Sequence, residues 1–416
     1  MALHRSYGPA MSTIETTAAP LHPDTPEFAA LLARIAKGTL ERERTQTRPH
    51  EVIDWLRDAG FGRLRIPVEE GGAGLSVQEL FAALTALAEA DSNVAHILRV
   101  HFAFVEQQLV NPDASSRARW LDLVNSGAII GNAQSEQNDK AVAGRGLETR
   151  AERDPDGTGY RLTGVKYYST GSLYADYIWV FAAAPDDRLA GIVIPADREG
   201  VELVDDWDGF GQRLTGTGTT RFTDVYVVPD EYQDWGPAGQ PLPPTVMGAF
   251  LQLFLQAVTA GVLRAVRRDA AALVRRRVRS FGHASAEAPA EDPQVLQVVG
   301  EIAADAFAAE AIVLAAASRI DAALATVVDG FPSPDAAYEA QVAAAQAKVA
   351  IDRFSYATAA RLFDAGGASA TQAVWQLDRH WRNVRTVSTH NPTFLKATAV
   401  GKWFVGGEAP PQNGFF

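Results

Sequence analysis

Three stretches of the chain decide its fold: GNAQSEQ at Gly131–Gln137, TGVKYYSTGSLYADYIWVFAA at Thr163–Ala183 and WDGFGQRLTGTGTTRFTDVYV at Trp207–Val227. They are rich in Tyr, Phe, Ile, Val, Trp and Thr and are punctuated by Gly and Asp, which is typical of strands and turns. On both sides, apolar residues recur at helical spacing. The sequence therefore predicts a compact β domain inserted between two helical regions.

The pattern also predicts where the main segments begin and end. Residues 1–25 read as a flexible leader, with Met11 as an alternative start; 26–126 as an N-terminal α-helical domain; 127–235 as the middle β domain; and 236–416 as a C-terminal helical bundle. Within these we expect one continuous helix over Asp91–Val110 and a Pro- and Gly-rich linker over Asp230–Thr245. The long helices are expected at Val246–Ser280, Gln294–Val328, Asp335–Ala365, Ala370–Arg382 and Thr393–Val405.

Composition excludes several classes of protein. The chain of 416 residues has no cysteine, so disulfides, thiolate metal sites and a cysteine nucleophile are excluded. A net charge of −12 argues against a nucleic-acid-binding protein. No apolar run reaches the length of a membrane span, and a cytoplasmic location is expected. His96 and His101 are five residues apart, so they do not share a helix face, and no metal site is expected.

Four motifs in a fixed order carry a resemblance to a known family. They are TGVKYYSTG, the DGFGQRLTGTGTT segment, RSFG at 279–282 and DAGG at 364–367. Their order resembles the acyl-CoA dehydrogenase superfamily, and more narrowly its branch of flavin-dependent monooxygenases that includes dibenzothiophene monooxygenase. The resemblance implies an α+β, mainly α fold: an N-terminal helical domain, a middle β-barrel or sandwich and a C-terminal four-helix bundle.

The same resemblance implies a flavin site, with FMN expected and FAD as the alternative. A strand end and two loops of the β domain are expected to contact the ring, through Asn132, Gln134, Ser135, Thr170 and Trp207. The phosphate is expected to be held by a neighbouring subunit of a homotetramer, through Arg279 and Phe281 of the R-x-F-G motif and through Gly366 and Gly367, whose lack of a side chain permits close approach. His101, Phe102 and Phe210 are expected to line the substrate pocket.

The segment RTVSTHNP around His390 is where the chemistry is expected. Acyl-CoA dehydrogenases commonly place a catalytic glutamate here, whereas this chain has no Asp or Glu between Asp378 and Glu408. The monooxygenase branch has R-T-H-x-x-H-D-P, so His390 is retained, Val387 replaces the first histidine and Asn391 replaces the aspartate. We assign catalysis to His390 with Thr170 or Ser169 as hydroxyl partner. His96 and His380 are interpreted as structural.

These observations favour the oxygenase component of a two-component flavin monooxygenase. It would take reduced FMN or FAD from a separate reductase and use O2, through a flavin C4a-(hydro)peroxide, to oxygenate a small apolar substrate at sulfur, nitrogen or an aromatic carbon, with sulfur favoured. No Rossmann-type fingerprint is present, which agrees with reduction elsewhere. The alternatives are an acyl-CoA dehydrogenase with FAD and a displaced base, and a non-catalytic scaffold.

Overall fold

The chain folds into a helical domain, a sheet domain and a long-helix bundle. The computed structural model describes residues 19–137, 146–238, 240, 243–280, 282–413 and 416. Phe281, expected in the cofactor site, lies outside the described residues. The expected mainly helical, three-part α+β architecture is confirmed.

The N-terminal domain is built from six α-helices that pack on one another and on the bundle. Their bounds are α1 Pro26–Thr45, α2 His50–Asp58, α3 Val77–Ala90, α4 Ser92–Ile97, α5 Arg99–Leu109 and α6 Ala114–Asn125. Helix α3 begins in a capping box, because the Ser76 hydroxyl accepts from the Glu79 amide while the Glu79 carboxylate accepts from the Ser76 amide. Phe81 packs edge-on against Phe250 of the bundle at 5.3 Å, so the two helical domains share one core.

The expected single helix over Asp91–Val110 is wrong, because the structure has two helices that meet at Leu98. The Asp91 carboxylate caps α4 by accepting from the amides of Asn93 and Val94. No Gly or Pro marks the end of α4 at Ile97. The Ile97 carbonyl packs directly against Gly171 of the sheet domain. A tertiary contact therefore coincides with the break, which the local helical pattern does not reveal.

The middle domain is an eight-stranded mixed sheet. Seven strands follow the order β6-β7-β3-β2-β4-β5-β8, and β1 pairs in parallel with β4. The bounds are β1 Ile130–Ala133, β2 Arg150–Arg153, β3 Tyr160–Ser169, β4 Tyr177–Ala184, β5 Arg188–Pro195, β6 Val201–Val204, β7 Gly218–Val227 and β8 Tyr232–Pro237. The expected β2–β3 hairpin is present, with Ala151 opposite Leu162. Leu162, Ile178, Ile192 and Val225 form the centre of the sheet's own core.

The segment expected to be a linker from Asp230 contributes an edge strand instead. Strand β8 pairs antiparallel with β5, with Ile192 opposite Tyr232. Its Pro237 is tolerated because an edge strand has one side without ladder hydrogen bonds. The Pro and Gly content that suggested a linker therefore marks the edge of the sheet.

The C-terminal bundle is dominated by three helices of 30 to 33 residues. The bounds are α7 Met247–Arg276, α8 Pro293–Leu324, α9 Pro334–Gly366, α10 Asp378–Ser388 and α11 Thr393–Gly406. Helix α7 is long and apolar enough to cross a membrane, but most of it is buried as the central helix of the bundle. The helix expected from Ala370 begins only at Asp378, because Gln376 adopts a left-handed conformation with φ of 45°.

Candidate functional site

The ends of β1 and β3 meet at the edge of the sheet that faces the helices. The Asn132 side-chain amide donates to the Tyr168 carbonyl at 3.1 Å, and the Ser172 hydroxyl donates to the Asn132 carbonyl at 2.6 Å. Two buried oxygens, Asn132 Oδ1 and Ser169 Oγ, have no hydrogen-bond partner within the described part of the chain. Buried polar atoms of this kind are normally satisfied, so they indicate a place where a polar ligand binds.

A row of threonine hydroxyls continues from this strand end. Thr170 Oγ1 lies 2.8 Å from Thr217 Oγ1, which in turn lies 2.7 Å from Thr215 Oγ1. The Thr215 hydroxyl donates to the Gln212 carbonyl at 2.8 Å. The expected partnership of Thr170 with His390 is therefore not a direct contact, because the hydroxyl of Thr170 is part of this row.

Gln212 joins the sheet domain to both helical domains. Its backbone amide donates to Asn383 of α10 at 2.7 Å, and its side-chain oxygen accepts from His96 Nδ1 at 3.1 Å. Its side-chain nitrogen and that of Asn383 both donate to the Ser92 hydroxyl. Burial lowers the pKa of His96 to about 4, with the nearby Arg99 adding to the effect. His96 is thus a neutral imidazole at the junction of three domains.

His390 lies in the turn between α10 and α11, and its imidazole is bound by Arg99 at the start of α5. Arg99 Nη1 is 3.2 Å from His390 Nε2. A guanidinium can only donate, so His390 Nε2 is the acceptor and the ring proton is on Nδ1. The other nitrogen of Arg99, Nε, donates to the Leu251 carbonyl of α7 at 3.0 Å. Arg99 therefore fixes both the orientation and the tautomer of His390.

The environment of His390 keeps it neutral. Burial lowers its pKa well below 6.5, and Arg99, His96, Lys348 and Lys396 act in the same direction. By surface area the residue is nevertheless exposed. His390 therefore lines a cleft that is open to solvent on one side, and its Nδ1–H is available to a ligand there.

The carboxylate in contact with the His390 segment is already neutralised. Asp352 of α9 accepts from Lys348 Nζ at 3.0 Å and also from the Thr393 hydroxyl. Lys348 also donates to the Ser388 carbonyl at 2.8 Å. Burial lowers the pKa of Lys396 to about 7, with Lys348 and Arg99 adding to the effect. Three buried cations, Arg99, Lys348 and Lys396, thus act on His390.

Two of the residues expected in the substrate pocket lie in the core instead. His101 is fully buried, with Nε2 donating to the Gly62 carbonyl at 2.9 Å and Nδ1 accepting from the Ile130 amide at 3.2 Å. Both ring nitrogens are used, so His101 joins the N-terminal domain to β1. Phe102 packs against Phe61 at 5.9 Å in the shared helical core. Both residues therefore have packing roles in this chain, and their assignment to the substrate pocket stays a prediction.

Phe210 lies on the surface, where it stacks on Trp381 at 5.9 Å. Its ring is 54% exposed, so it does not line an enclosed pocket in the single chain. Trp207 is half-buried, donates from Nε1 to the Gln212 carbonyl at 3.1 Å and meets Tyr168 edge-on at 6.3 Å. Trp207 and Tyr168 thus form an aromatic pair beside the strand end.

Gln134 and Ser135 follow β1 and are half-buried. The Ser135 carbonyl accepts from the Tyr167 amide at 2.9 Å, and the Gln134 carbonyl accepts from Lys166 Nζ at 3.3 Å. Lys166 is fully buried and paired with Glu136 at 2.6 Å. The structure therefore brings Asn132, Gln134, Ser135, Ser169, Thr170 and Trp207 to one end of the sheet.

The residues expected to bind phosphate lie at the other end of the bundle. Arg277 donates to the Ala365 carbonyl at 2.9 Å, beside the Gly366–Gly367 turn, and Arg279 is exposed just beyond α7. Leu251 and Arg276 are 25 residues apart on α7, so a rise of 1.5 Å per residue separates them by about 37 Å. Within one chain, Arg279 and Gly367 are therefore far from the His390–Arg99 pair.

The sequence analysis did not predict Arg99 as a residue of the site, and it did not predict the contact of His96 with the sheet domain. Both lie in HILR at 96–99, where the helical pattern continues smoothly and gives no signal of a site. One signal was available: one arginine and two histidines lie among nine apolar residues between Val94 and Val105, and such side chains are costly to bury unless they serve a site. Gln212 and Asn383 carried no comparable signal, because amides are common on surfaces.

A separate cavity of about 630 Å³ lies between α1, the α3–α4 junction and the second half of α7. Asp91, Asp269, Arg276, Trp375 and His380 are among its lining residues. His380 Nε2 lies 2.8 Å from Asp269, which also binds Arg379 at 2.8 Å. None of His390, Arg99 and Thr170 lines this cavity, so it is distinct from the candidate site. Among the described residues, no group of three or more His, Asp and Glu is placed to hold a metal ion.

Fold and site define a class: a three-domain architecture in which a sheet end and a helical bundle both contribute residues to a candidate site, with His390 beside an open cleft. The chain belongs to the acyl-CoA dehydrogenase family. Residues 27–128 match the N-terminal domain of that family, 133–225 its middle domain and 253–393 its C-terminal domain. The resemblance inferred from the four motifs is thus confirmed.

Several relatives share nearly the whole chain. Dibenzothiophene monooxygenase of Paenibacillus sp. A11-2, solved with FMN bound, is 31% identical with a TM-score of 0.85, covering 94% of this chain and 98% of that one. Methanesulfinate monooxygenase of Pseudomonas fluorescens is 27% identical with a TM-score of 0.83, covering 94% and 100%. A protein named probable FMNH2-dependent monooxygenase from Pseudomonas putida is 28% identical over 389 residues, covering 92% of this chain and 95% of its own.

Proposed function

We propose that this chain is the oxygenase component of a two-component, FMN-dependent monooxygenase that acts on a small organic molecule. The observation that carries the proposal is that the α10–α11 turn offers a neutral, proton-donating histidine, held by Arg99, and no carboxylate. Named monooxygenases among its relatives, one of them solved with FMN, support the same activity.

The residues at the sheet end fit an FMN ring. Asn132 Oδ1 and Ser169 Oγ are buried acceptor-capable oxygens that lack a partner in the described ranges, and the Tyr168–Trp207 pair supplies flat apolar surface beside them. Thr170 and the backbone around Gln134 and Ser135 add polar groups at the same edge. Reduced FMN, when bound, supplies the two electrons with which O2 is activated for insertion of one oxygen atom.

The chain's own residues supply position and a proton. His390 donates from Nδ1 into the cleft. The hydrogen bond from Arg99 to Nε2 keeps the proton on Nδ1 and the ring in this orientation. Because nearby cations keep the imidazole neutral, His390 donates a hydrogen bond without adding a positive charge. The apolar core formed by α3, α5 and α7 encloses the site on the bundle side and limits water access.

The cofactor site is further proposed to be completed by a second copy of the chain, in a homotetramer. Arg279 and the Gly366–Gly367 turn are about 37 Å along α7 from the His390–Arg99 pair, so another protomer's Arg279 would hold the phosphate. The reduced FMN is proposed to come from a separate flavin reductase. A cytoplasmic location is also proposed, supported only by the lack of cysteine.

The test uses isotopic oxygen. The purified protein is mixed with chemically reduced FMN, ¹⁸O₂ and one of three substrates: dibenzothiophene, indole or methanesulfinate. We expect one product to carry a single ¹⁸O atom by mass spectrometry. Reduction of an artificial electron acceptor by acyl-CoA thioesters, without added FMN or reductase, would instead establish the dehydrogenase alternative. The absence of both reactions, together with no FMN binding, would support the scaffold alternative.

A further inference from the structure

Arg99 is a buried cation at the centre of the candidate site. Its residue surface is 8% exposed, and it lies between the first turn of α5, the Leu251 carbonyl of α7 and His390. Both of its hydrogen-bond partners are uncharged: one is a backbone carbonyl and the other a neutral imidazole. In the parts of the chain that the structure describes, Arg99 makes no ion pair with a carboxylate.

A buried arginine normally has an anionic partner, because removing its charge from water is unfavourable unless an opposite charge compensates. Arg65, whose side chain is 12% exposed, illustrates the paired case: its Nε lies 2.5 Å from a carboxylate oxygen of Glu106. A guanidinium has five N–H groups, and two hydrogen bonds leave part of the fork of Arg99 available. The protein therefore keeps a charged, planar donor group at the cleft without supplying its counter-ion.

The charges around Arg99 strengthen this argument. Lys348 and Lys396 are also buried, at 2% exposure each, and both act on His390. Asp352 offsets the charge of Lys348 through an ion pair. Arg99 is thus an arginine without an ion-paired carboxylate in the described ranges, whereas the chain as a whole has a net charge of −12. A local field opposite in sign to that of the whole protein favours an anionic ligand.

We propose that the Arg99–His390 pair binds the oxyanion head group of a small organic acid, a sulfinate, sulfonate or carboxylate, as the substrate of the cleft. The inference rests on the proposed function and narrows it, since the resemblance alone implies an apolar substrate. The remaining N–H groups of Arg99 pair with two oxygens of the head group, which is the geometry that a guanidinium prefers. His390 holds the guanidinium in position through Nε2, and the alkyl or aryl part of the substrate faces the apolar walls of α5 and α7.

FMN is itself an anion, and it offers a rival explanation of the unpaired charge. If Arg99 served the flavin, replacing it would weaken FMN binding and leave the binding of organic acids unchanged. If Arg99 serves the substrate, the reverse holds. Binding measurements with each ligand alone therefore separate the two roles without relying on turnover.

The test compares two molecules of similar shape and different charge, methanesulfonate and dimethyl sulfone. Their binding to the flavin-free wild-type protein is measured by isothermal titration calorimetry. We expect methanesulfonate to bind at least about tenfold more tightly, because a hydrogen bond to a charged group strengthens binding by roughly that factor or more. Methanesulfinate and acetate are measured alongside to distinguish sulfur oxyanions from carboxylates. Equal or tighter binding of the neutral sulfone to wild type would overturn the proposal.

Variants locate the effect at Arg99. Arg99→Gln is expected to lose the preference for methanesulfonate, and Arg99→Lys, which keeps the charge but not the fork, to retain part of it. Arg319→Gln is the matched control, because Arg319 is an exposed arginine on α8. If Arg99→Gln fails to fold by circular dichroism, the Lys variant and the wild-type comparison still decide the question. An unchanged preference in folded Arg99→Gln, or a loss confined to FMN binding, would refute the assignment.

Failure of this inference can be told from failure of the proposed function. Oxygenation of indole or dibenzothiophene with ¹⁸O₂, but of no organic acid, would support the monooxygenase function and refute the anionic substrate. Tight binding of methanesulfonate without oxygen transfer to any substrate would support the anion site and refute the monooxygenase function.

Discussion

Arg99 Nη1 lies 3.2 Å from His390 Nε2, although the two residues are separated by 291 positions in the chain. The contact joins the start of α5 to the α10–α11 turn. It also decides the protonation pattern of the imidazole, since an arginine side chain can only donate a hydrogen bond. The proton of the neutral imidazole is consequently on Nδ1.

Replacing His390 with alanine is expected to lower kcat for oxygenation by about 10²- to 10⁴-fold, the usual contribution of a positioned proton donor. The dissociation constant for FMN should change little, because the residues expected at the ring lie at the sheet end. Steady-state turnover and fluorescence titration with FMN measure the two quantities. His22→Ala, at an exposed histidine, is the control. Turnover close to that of wild type would remove His390 from the mechanism.

Replacing Gly171 with alanine is expected to disrupt the junction between the sheet and α4. Gly171 has φ of 86°, and a Cβ there would collide with the Ile97 carbonyl oxygen. Gly236 has φ of 90° with nothing within 4 Å of an added Cβ, so Gly236→Ala introduces the same backbone strain without the collision. That strain amounts to about 1–2 kcal/mol. We expect Gly171→Ala to lower both the melting temperature and FMN affinity clearly more than Gly236→Ala does; equal effects would contradict the packing argument.

Replacing Arg279 with alanine is expected to weaken FMN binding. A hydrogen bond from a charged donor to phosphate is worth about 1.5–3 kcal/mol, or roughly a 10- to 150-fold change in the dissociation constant. Riboflavin, which lacks the phosphate, should bind wild type and variant equally. Arg319→Ala serves as the control for a general loss of positive charge. An FMN dissociation constant equal to that of wild type would show that another group holds the phosphate.

Acid should destabilise the fold through its buried histidines. Burial lowers the pKa of His96 and of His101 to about 4, below the unfolded value near 6.5. Between these values the unfolded chain binds more protons, so stability is fully present above pH 6.5 and is lost as the pH falls towards 4. Each histidine contributes up to about 3 kcal/mol to this loss.

Urea denaturation at pH 7.5 and pH 5 measures the effect. His101→Asn is expected to be less stable than wild type at pH 7.5, because the Gly62 carbonyl and the Ile130 amide lose their shared partner. It should nevertheless lose less stability on going to pH 5. His22→Asn, at an exposed position, should follow wild type at both pH values. If the free energy of unfolding falls by the same amount between pH 7.5 and pH 5 in His101→Asn and in wild type, other groups cause the acid sensitivity.

Sequence patterns predicted the mainly helical, three-part fold, because the apolar spacing changes from helical to strand-like near Gly127 and back to helical near Val246. They failed where a distant contact decides local structure. The break of the helix at Leu98 coincides with packing of Ile97 on Gly171, and no local signal reports a neighbour 74 residues away. Strand β8 was not predicted for a related reason, since an edge strand tolerates the proline and glycine that usually indicate a linker.

The candidate site was predictable only in part, because its residues come from three domains. The segment around His390 and the strand end at Asn132 stood out by motif. Arg99 can be recognised as a site residue only through its contact with His390, and the sequence did not reveal that two backbone groups, at Gly62 and Ile130, use both nitrogens of His101. A single sequence does not contain these pairings, since they depend on how the domains pack.

The row of threonines has a directional consequence. The Thr215 hydroxyl donates its hydrogen bond to the Gln212 carbonyl. The Thr217 hydroxyl must therefore donate to Thr215, and the Thr170 hydroxyl must donate to Thr217. The Thr170 hydroxyl can therefore only accept a hydrogen bond from a bound ligand. An isoalloxazine ring gains an N–H at N5 only on reduction, so an oxidised ring placed next to Thr170 would meet it lone pair to lone pair. Because the Gln212 carbonyl in the loop before β7 sets the direction of these hydrogen bonds, it would make the site distinguish reduced from oxidised flavin.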